Sequence, residues 1–236
     1  GSIEALDNQK LSVSGRTISL TNLSSNGTAI LTVTYKKIRA GIKSKIYQRA
    51  TSVIVNGSSL TASGIGKTTK NDGLTYTPYY GLRVQDKTIS LNVPDVQEII
   101  GIYESSDTSD PDLPRIYLEN LNSSVNNFLK GERIVGETSG AVGVVATNDG
   151  INSIEIVYRN ENRFSLGETI TSEETNISGT INAVNIGDKN IRDNYLLDNG
   201  QRSELYDYSR IIRKADFSAP NKKIRIVFNH YSISPT

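Results

Sequence analysis

A tandem repeat in the second half of the chain is the feature that most constrains its fold. The segment 128–134 (FLKGERI) returns 36 residues later as 164–170 (FSLGETI), with the Gly-Glu pair in the same place. Matches at the same offset join Gly143 to Gly179 and Val145 to Ile181. Each unit has the pattern strand, Gly-Glu turn, short strand, polar turn, strand. Units this small cannot each bury an apolar face alone, so we expect the two to pair into one small barrel or sandwich.

The remaining sequence alternates with a period of two, which predicts β-strands rather than helices. The candidate strands are rich in β-branched and aromatic residues and are bounded by Gly, Asn, Asp and Ser turns. They cover residues 11–13, 18–20, 29–35, 51–55, 79–84, 88–93 and 99–103. Two short stretches, 38–48 and 203–208, are predicted to be helical. The sequence therefore predicts an all-β fold of the sandwich or barrel type.

Two polar breaks suggest how the chain is divided. The acidic, Pro-bearing segment 105–114 (SSDTSDPDLP) precedes the repeat, and residues 187–192 follow it. The last apolar segment, 223–233 (KIRIVFNHYSI), alternates well and needs a partner strand, for which 29–35 and 99–103 are the candidates. We therefore expect a discontinuous β domain made of residues 3–110 and 188–236. The tandem-repeat module, residues 111–187, is inserted at a surface loop, where insertions are tolerated.

Composition excludes several classes of function. The net charge is +1, from 26 Lys+Arg and 25 Asp+Glu, so no global field draws nucleic acid to the chain. Without Cys and with one His, it has no thiol chemistry, disulfides or Cys/His zinc sites. No run approaches the ~18 apolar residues of a membrane span, so no membrane insertion is expected. The opening Gly1-Ser2 is typical of a cleaved fusion, which suggests a fragment.

Several patterns that could carry chemistry have simpler structural explanations. The segment 64–68 (GIGKT) lacks the earlier Gly of a phosphate-binding loop and is read as a plain loop. The carboxylates of 105–114 do not have EF-hand spacing, so a solvated acidic loop is expected instead of a Ca²⁺ site. His230 is the only imidazole and is expected to be an ordinary strand residue. A basic cluster over 36–49 is expected to be a solvated face or a contact with an acidic protein. We therefore predict no catalytic, metal-binding or cofactor-binding residues.

Repeated carboxylates argue against an active site in the tandem module. A carboxylate pair for glycoside hydrolysis could be drawn from Glu132, Glu137, Glu168, Glu173 and Glu174. However, Glu132 and Glu168 recur at equivalent positions beside Gly, which favours a structural role in a turn.

The segment between Asp198 and Arg210 is the strongest candidate for a contact surface. Its arginines can pair with its acids, and its tyrosines offer rigid amphipathic area, a combination that is favoured at interfaces. The candidate interface residues are Asp198, Arg202, Tyr206, Tyr208 and Arg210. An intramolecular corner that holds the last strand in place is the structural alternative.

Several segments resemble virion structural proteins of marine contractile-tailed bacteriophages, the cyanophage and pelagiphage group. The resemblance covers roughly residues 80–233 and is carried by 80–86 (YGLRVQD), 93–96 (VPDV), 100–105 (IGIYES), Gly131-Glu132 with 138–141 (TSGA), 194–202 (NYLLDNGQR) and 206–211 (YDYSRI). It implies a tail, baseplate or fibre component of the virion, assembled in the host cytoplasm beside other virion structural proteins. It also implies a homo-oligomer, most often a trimer, and no catalytic residues.

The expected function is therefore that of a structural fragment of a phage virion, not an enzyme, acting in assembly and surface contact. One alternative is a receptor- or glycan-binding module, whose contacts would include Tyr79, Tyr80 and Tyr158 and whose partner would be a host surface receptor. A second alternative is a polysaccharide-degrading enzyme of the tailspike type.

Overall fold

The structure is a computed structural model that describes residues 10–15, 17–24, 44–56, 83–203 and 206–233. The chain forms two compact units, Gly1–Ile42 and Lys43–Thr236. In the first unit, the described residues form an antiparallel hairpin of strands β1 (Leu11–Ser14) and β2 (Thr17–Leu20). The turn passes through Gly15 at φ +59°, a conformation that glycine adopts without strain. This hairpin confirms the strands predicted on either side of that turn.

The described residues of the second unit are nearly all in strands and turns, which confirms the all-β prediction. Two single-turn 3₁₀ helices, Val125–Asn127 and Arg192–Asn194, interrupt them. The strands are β3 (Lys45–Val55), β4 (Thr88–Pro94), β5 (Val96–Glu104), β6 (Arg115–Glu119), β7 (Arg133–Gly136), β8 (Val142–Asn148), β9 (Ser153–Tyr158), β10 (Thr169–Ser172), β11 (Ser178–Asn185), β12 (Lys189–Asn190), β13 (Tyr195–Asp198), β14 (Tyr208–Arg213) and β15 (Ile224–Ile233).

Both helix predictions are wrong where the structure describes them. Residues 45–48 belong to β3, because the β-branched and aromatic side chains there pair with β15 along its whole length. Tyr206 forms a bridge with Gln201, and Tyr208 already begins β14. Residues 83 and 84, predicted as the end of a strand, lie in a turn. The predicted strand 29–35, residues 38–43 and residues 79–82 lie outside the described residues.

Two sheets pack face to face and enclose the first core. One sheet has the strand order β12-β5-β15-β3 and the other the order β13-β14-β4. The terminal strand β15 therefore pairs with the strand at 99–103, as predicted, and also with β3. Alternate side chains of β15 enter this core, among them the buried Ile224, Ile226 and Phe228. Asp95, at φ +55°, carries the chain from one sheet to the other.

The tandem repeat forms a closed six-stranded barrel with the order β10-β11-β6-β9-β8-β7. Its interior is filled by side chains such as Ile134, Ile154, Ile156, Ile170 and Ile181, each at most 1% exposed. The prediction that the two units pair into one small β-structure is confirmed. The sequence predicted either a barrel or a sandwich, and the closed barrel is the form found.

The two repeats are related by a local two-fold arrangement. In the β7–β10 pair, Ile134 opposes Ser172 and Gly136 opposes Ile170, so equivalent residues exchange partners across the pair. Strands β8 and β11 each carry an irregularity at the same repeat position, after Val145 and after Ile181. The strand that completes the second repeat is β6, which precedes the first repeat in the chain.

The barrel is docked against the outer face of the four-stranded sheet. Val227 and Ile100 of the sheet and Val157 of the barrel share a third buried cluster. Gly101 permits the approach, because a Cβ there would lie 2.8 Å from the ring of Tyr103 and 3.0 Å from Val157. The second unit is thus layered in its described parts as three-stranded sheet, four-stranded sheet and barrel. The proposed division into 3–110 with 188–236 and 111–187 stays a prediction.

Ion pairs surround this docked face. They join Glu98 to Arg159, Glu155 to Arg225, and Arg49 to Glu174. Glu155 is 6% exposed and also accepts a hydrogen bond from Arg115, so its charge is compensated on both oxygens. Buried carboxylates need such partners to offset their lost hydration.

Candidate contact surface

Three of the predicted interface residues, Asp198, Arg202 and Arg210, form an ion cluster on the β13–β14 hairpin together with Asp207, which was not among the predicted interface residues. We call these four residues the corner cluster. Both carboxylate oxygens of Asp198 accept hydrogen bonds from Arg202, at 2.9 and 2.8 Å. Arg210 donates to the same carboxylate from Nε at 2.9 Å. The hydrogen bonds from Arg202 hold the pKa of Asp198 well below its ordinary value, against the opposing effect of burial.

The backbone of Gly200 lies close to that of Asp207 beside the corner cluster. Gly200 has φ +77°, and a Cβ there would collide with the carbonyl of Asp207. The amide of Asp207 donates to the carbonyl of Gly200 at 2.7 Å, and the amide of Gly200 donates to Asp198 at 3.1 Å. These contacts lie within the chain, as the structural alternative for this segment requires. An interface role for the same residues stays a prediction.

A second set of contacts ties this hairpin to β3 and to the turn before β5. Asp95, 6% exposed, accepts hydrogen bonds from Gln201 Nε2 at 2.7 Å and from Lys45 Nζ. Burial raises the pKa of Asp95, but the hydrogen bonds from Lys45 and Gln201 outweigh it, and the pKa is lowered. Hydrogen bonds to Asp95 and Tyr206 raise the pKa of Lys45. The ammonium and carboxylate are therefore both charged at neutral pH and compensate each other.

The Lys45 ammonium lies within a line of tyrosine rings, which we call the tyrosine row: Tyr206, Lys45, Tyr231 and Tyr47. Lys45 Nζ donates to Tyr206 Oη at 2.9 Å and lies 4.4 Å from the centre of that ring and 5.6 Å from the centre of Tyr231. The rings of Tyr231 and Tyr47 are 5.1 Å apart and tilted by 42°. Tyr47 Oη donates to Gln97 at 3.0 Å.

The tyrosine row is both exposed and ordered by its contacts. Tyr47 is 41% exposed and Tyr206 is 48% exposed. Each of the three rings has an ammonium or a second ring within 5.6 Å of its centre, and these contacts restrict its orientation. The row is thus a preformed aromatic surface, and the buried carboxylate of Asp95 holds its Lys45 ammonium in place.

The other predicted tyrosines lie elsewhere. Tyr208 is 53% exposed and points away from the sandwich core, on the outer face of β14. Tyr158 is half-buried at the edge of the barrel core, 5.5 Å from the ring of Phe164 and beneath the guanidinium of Arg163 at 4.4 Å. Tyr79 and Tyr80 lie outside the described residues. A glycan contact by Tyr79, Tyr80 or Tyr158 stays a prediction.

The repeated Gly-Glu turns hold the barrel together through buried carboxylates. Glu168 accepts hydrogen bonds from the amides of Ser139 and Thr138, at 3.0 and 3.3 Å, and from the amide of Ser165. It also accepts the Ser139 hydroxyl, at 2.9 Å. Burial raises the pKa of Glu168, but the amides of Ser139 and Ser165 outweigh it and the pKa is lowered. This carboxylate has the structural turn role predicted for it.

The equivalent Glu132 is fully buried and makes fewer contacts. It accepts the amide of Leu129 at 2.6 Å and the hydroxyl of Thr175 at 3.0 Å. Each of the two carboxylates thus bonds its own turn and also a turn of the other repeat. Of the other repeat carboxylates, Glu173 pairs with Arg133 and Glu174 with Arg49.

The remaining sequence candidates are engaged in local structure or lie outside the described residues. Asp107 accepts the amide and hydroxyl of Ser109, and Asp110 pairs with Lys223, as in a solvated loop. His230 is 8% exposed beside Phe228, and its Nδ1 has no hydrogen-bond partner among the described residues. The described residues contain no group of three metal-ligating side chains, and no helix among them is both long and apolar enough to cross a membrane. Residues 64–68 are outside the described ranges, as are Lys36, Lys37, Arg39 and Lys43 of the basic cluster.

A groove of about 320 Å³ lies beside the 3₁₀ helix Arg192–Asn194. Its cations are already used within the chain, because Arg192 Nε donates to the carbonyl of Ile99 and Lys214 Nζ to the carbonyl of Asp193, both at 2.6 Å. Two acidic residues, Glu98 and Asp193, line the groove beside these two cations, so the lining is not strongly cationic.

Sequence reasoning missed most of the tyrosine row and its support. Tyr47 and Lys45 fell in a segment assigned to a helix, and Tyr231 was treated only as a strand residue. Alternation within β3 and β15 places Tyr47 and Tyr231 on one face, but only the register between the two strands makes them neighbours.

Comparison of the chain with protein-family models, curated proteins and solved structures gave no match.

Proposed function

We propose that this protein is a structural component of a bacteriophage virion, from the tail, baseplate or fibre, and that it acts through assembly and surface contact. The observation that carries the proposal is the coincidence between the residues of the resemblance and the residues that make the scaffold rigid. The segments 194–202 and 206–211 form the β13–β14 hairpin and its corner cluster.

Two other segments of the resemblance have similar positions. Residues 93–96 contain the turn between the two sheets, with Asp95 at its centre. Residues 138–141 supply Ser139, which donates to the buried Glu168. In each case the resembling residues make hydrogen bonds or ion pairs within the chain that hold neighbouring strands and turns together. A protein that transmits force or holds a fixed geometry in an assembly needs this kind of internal locking.

Layered packing supports the same proposal. The four-stranded sheet is covered on one face by the three-stranded sheet and on the other by the barrel, in the described residues. Antiparallel ladders combined with two packed faces resist shear, because sliding would break side-chain packing and backbone hydrogen bonds together. The exposed tyrosines then give such a scaffold a surface for contact with a partner.

Immunogold labelling tests the proposal directly. Antibodies raised against the purified chain are applied to intact particles of the virus that encodes it, with pre-immune serum as the control. We expect gold at the tail or baseplate. Protein found in lysates of infected cells but absent from purified particles would contradict a virion role.

The oligomeric state is tested separately. Size-exclusion chromatography with light scattering is expected to give three times the monomer mass of 25.8 kDa. A monomer at every concentration would remove the homo-oligomer from the proposal but leave the virion role open to the labelling experiment.

A further inference from the structure

We propose that the tyrosine row is a binding site for an uncharged oligosaccharide. This inference goes beyond the virion role, because it concerns a surface that would bind its ligand wherever the protein is located. It rests on the exposure, charge and hydrogen-bonding capacity of the row.

Exposed ring faces are the first requirement of such a site. A sugar presents C–H groups on its ring faces and hydroxyls around its rim, so it fits an amphipathic aromatic surface with polar groups beside it. Tyr47 and Tyr206 are nearly half exposed, and tyrosine offers contact area at a small cost in conformational entropy. The contact of Tyr47 with Tyr231 and of Tyr206 with Lys45 lowers that cost further.

Charge is the second requirement, and it selects the ligand class. Lys45 is the cation of the row, and its charge is compensated by the buried carboxylate of Asp95. An anionic ligand such as a phosphate or a nucleic acid would have to compete with that carboxylate. An uncharged ligand does not, because it needs no counter-ion. The row therefore favours uncharged sugars over acidic ones.

Hydrogen-bonding capacity is the third requirement. An ammonium carries three N–H donors, and Lys45 uses two of them on Asp95 and Tyr206. The third has no hydrogen-bond acceptor among the residues that the structure describes, and the Lys45 side chain is 39% exposed, so it can donate to a ligand oxygen. The Tyr47 hydroxyl and the Gln97 amide lie together at the other end of the row. A sugar hydroxyl both donates and accepts, so it can bond to each of these groups.

A peptide would make poorer use of this surface. Among the described residues β3 is an edge strand, but a peptide that adds a strand there would pair through its backbone and would not use the exposed rings and polar tips of the row. Self-association is the competing occupant, and the test below separates it from sugar binding.

The test is binding of the full chain to a glycan array that holds neutral and acidic oligosaccharides, followed by calorimetry with the neutral glycans that bind. We expect binding to neutral glycans, with an affinity that does not change between low and high salt. Tyr206→Ala and Tyr47→Ala are each expected to lower the affinity about tenfold, the effect of losing one good ring contact. Tyr206→Phe keeps the ring and should retain most of the binding.

Tyr208→Ala is the matched control, because it removes an equally exposed tyrosine from the outer face of β14 and should leave the affinity unchanged. Light scattering on every variant reports the oligomeric state. The chain contains no Trp, so tyrosine emission gives a second readout of ligand over the row.

Three results would overturn the assignment. They are binding of acidic glycans alone, absence of any neutral ligand, and unchanged affinity in the Tyr47→Ala/Tyr206→Ala double variant. Loss of an oligomer in the row variants, without sugar binding by the wild type, would assign the surface to self-association. None of these results decides whether the protein belongs to a virion, which the labelling experiment measures on its own.

Discussion

Glu132 and Glu168 occupy the same position in the two repeats, but we expect their substitution by glutamine to lower the free energy of unfolding by different amounts. In Glu168→Gln, one oxygen becomes an NH₂ group, so one of the amides that now donate to Glu168 faces another donor. A buried donor without a partner costs about 1–3 kcal/mol, and the remaining bonds lose the strength that the charge gave them. We expect a total loss of about 3 kcal/mol in the free energy of unfolding.

Glu132→Gln is the matched control for this substitution. Its remaining oxygen can still accept the amide of Leu129, and its NH₂ group can donate to the Thr175 hydroxyl, which also acts as an acceptor. We therefore expect a change below about 1 kcal/mol, which leaves a gap of about 2 kcal/mol between the two variants.

Urea unfolding of both variants and the wild type measures this gap, provided that the three transitions have the same slope. The dependence on pH gives a second check. The pKa of Glu168 is lowered from 4.5, so its ionisation stabilises the fold above that pH, and the contribution is lost as pH falls towards the folded pKa. The difference between wild type and Glu168→Gln should therefore shrink below about pH 4.5. Equal losses in the two variants, or a difference independent of pH, would refute this account of the turns.

Three further substitutions test other contacts by the same urea assay. Gly136→Ala places a Cβ 2.6 Å from the Glu168 carboxylate and should cost about 2 kcal/mol, and this loss should not add to that of Glu168→Gln in the double variant. Asp198→Asn should cost about 2 kcal/mol, because the two guanidiniums of Arg202 and Arg210 would then share one carboxylate, that of Asp207; the loss should diminish in acid as the wild-type carboxyl protonates. His230→Phe should raise stability by about 1 kcal/mol, since it removes a buried ring nitrogen that lacks a partner among the described residues; an unfolding midpoint below that of the wild type would contradict this.

The tandem barrel was predictable because its signals are local and occur twice. The Gly-Glu pair needs a positive φ at the glycine, and Gly131 and Gly167 both have φ +79°. The contact of each carboxylate with a turn of the other repeat was not predictable. Glu132 reaches Thr175 and Glu168 reaches Ser139 only after the strands have paired, and sequence separation says nothing of which turn will be opposite.

The corner cluster and the tyrosine row show the same contrast at the surface. Asp198, Arg202 and Arg210 lie within one hairpin, so their proximity follows from the chain itself. Lys45 and Tyr206 meet only because β3 adds to the sheet through β15, a strand nearly at the other end of the chain. The propensity of residues 45–48 is ambiguous, and tertiary pairing decided it in favour of a strand.

The position of the barrel shows how it supports the sheet on which it packs. Ile100 and Val227 lie on the face of the four-stranded sheet opposite the sandwich core, and without the barrel that face would meet water. Each buried aliphatic side chain contributes about 2 kcal/mol, so the barrel contributes directly to the stability of the sheet. The sheet in turn carries Tyr47 and Tyr231 on β3 and β15. The barrel packs on one face of this sheet and the three-stranded sheet on the other. The positions of Tyr47 and Tyr231 therefore depend on packing against both faces of the sheet.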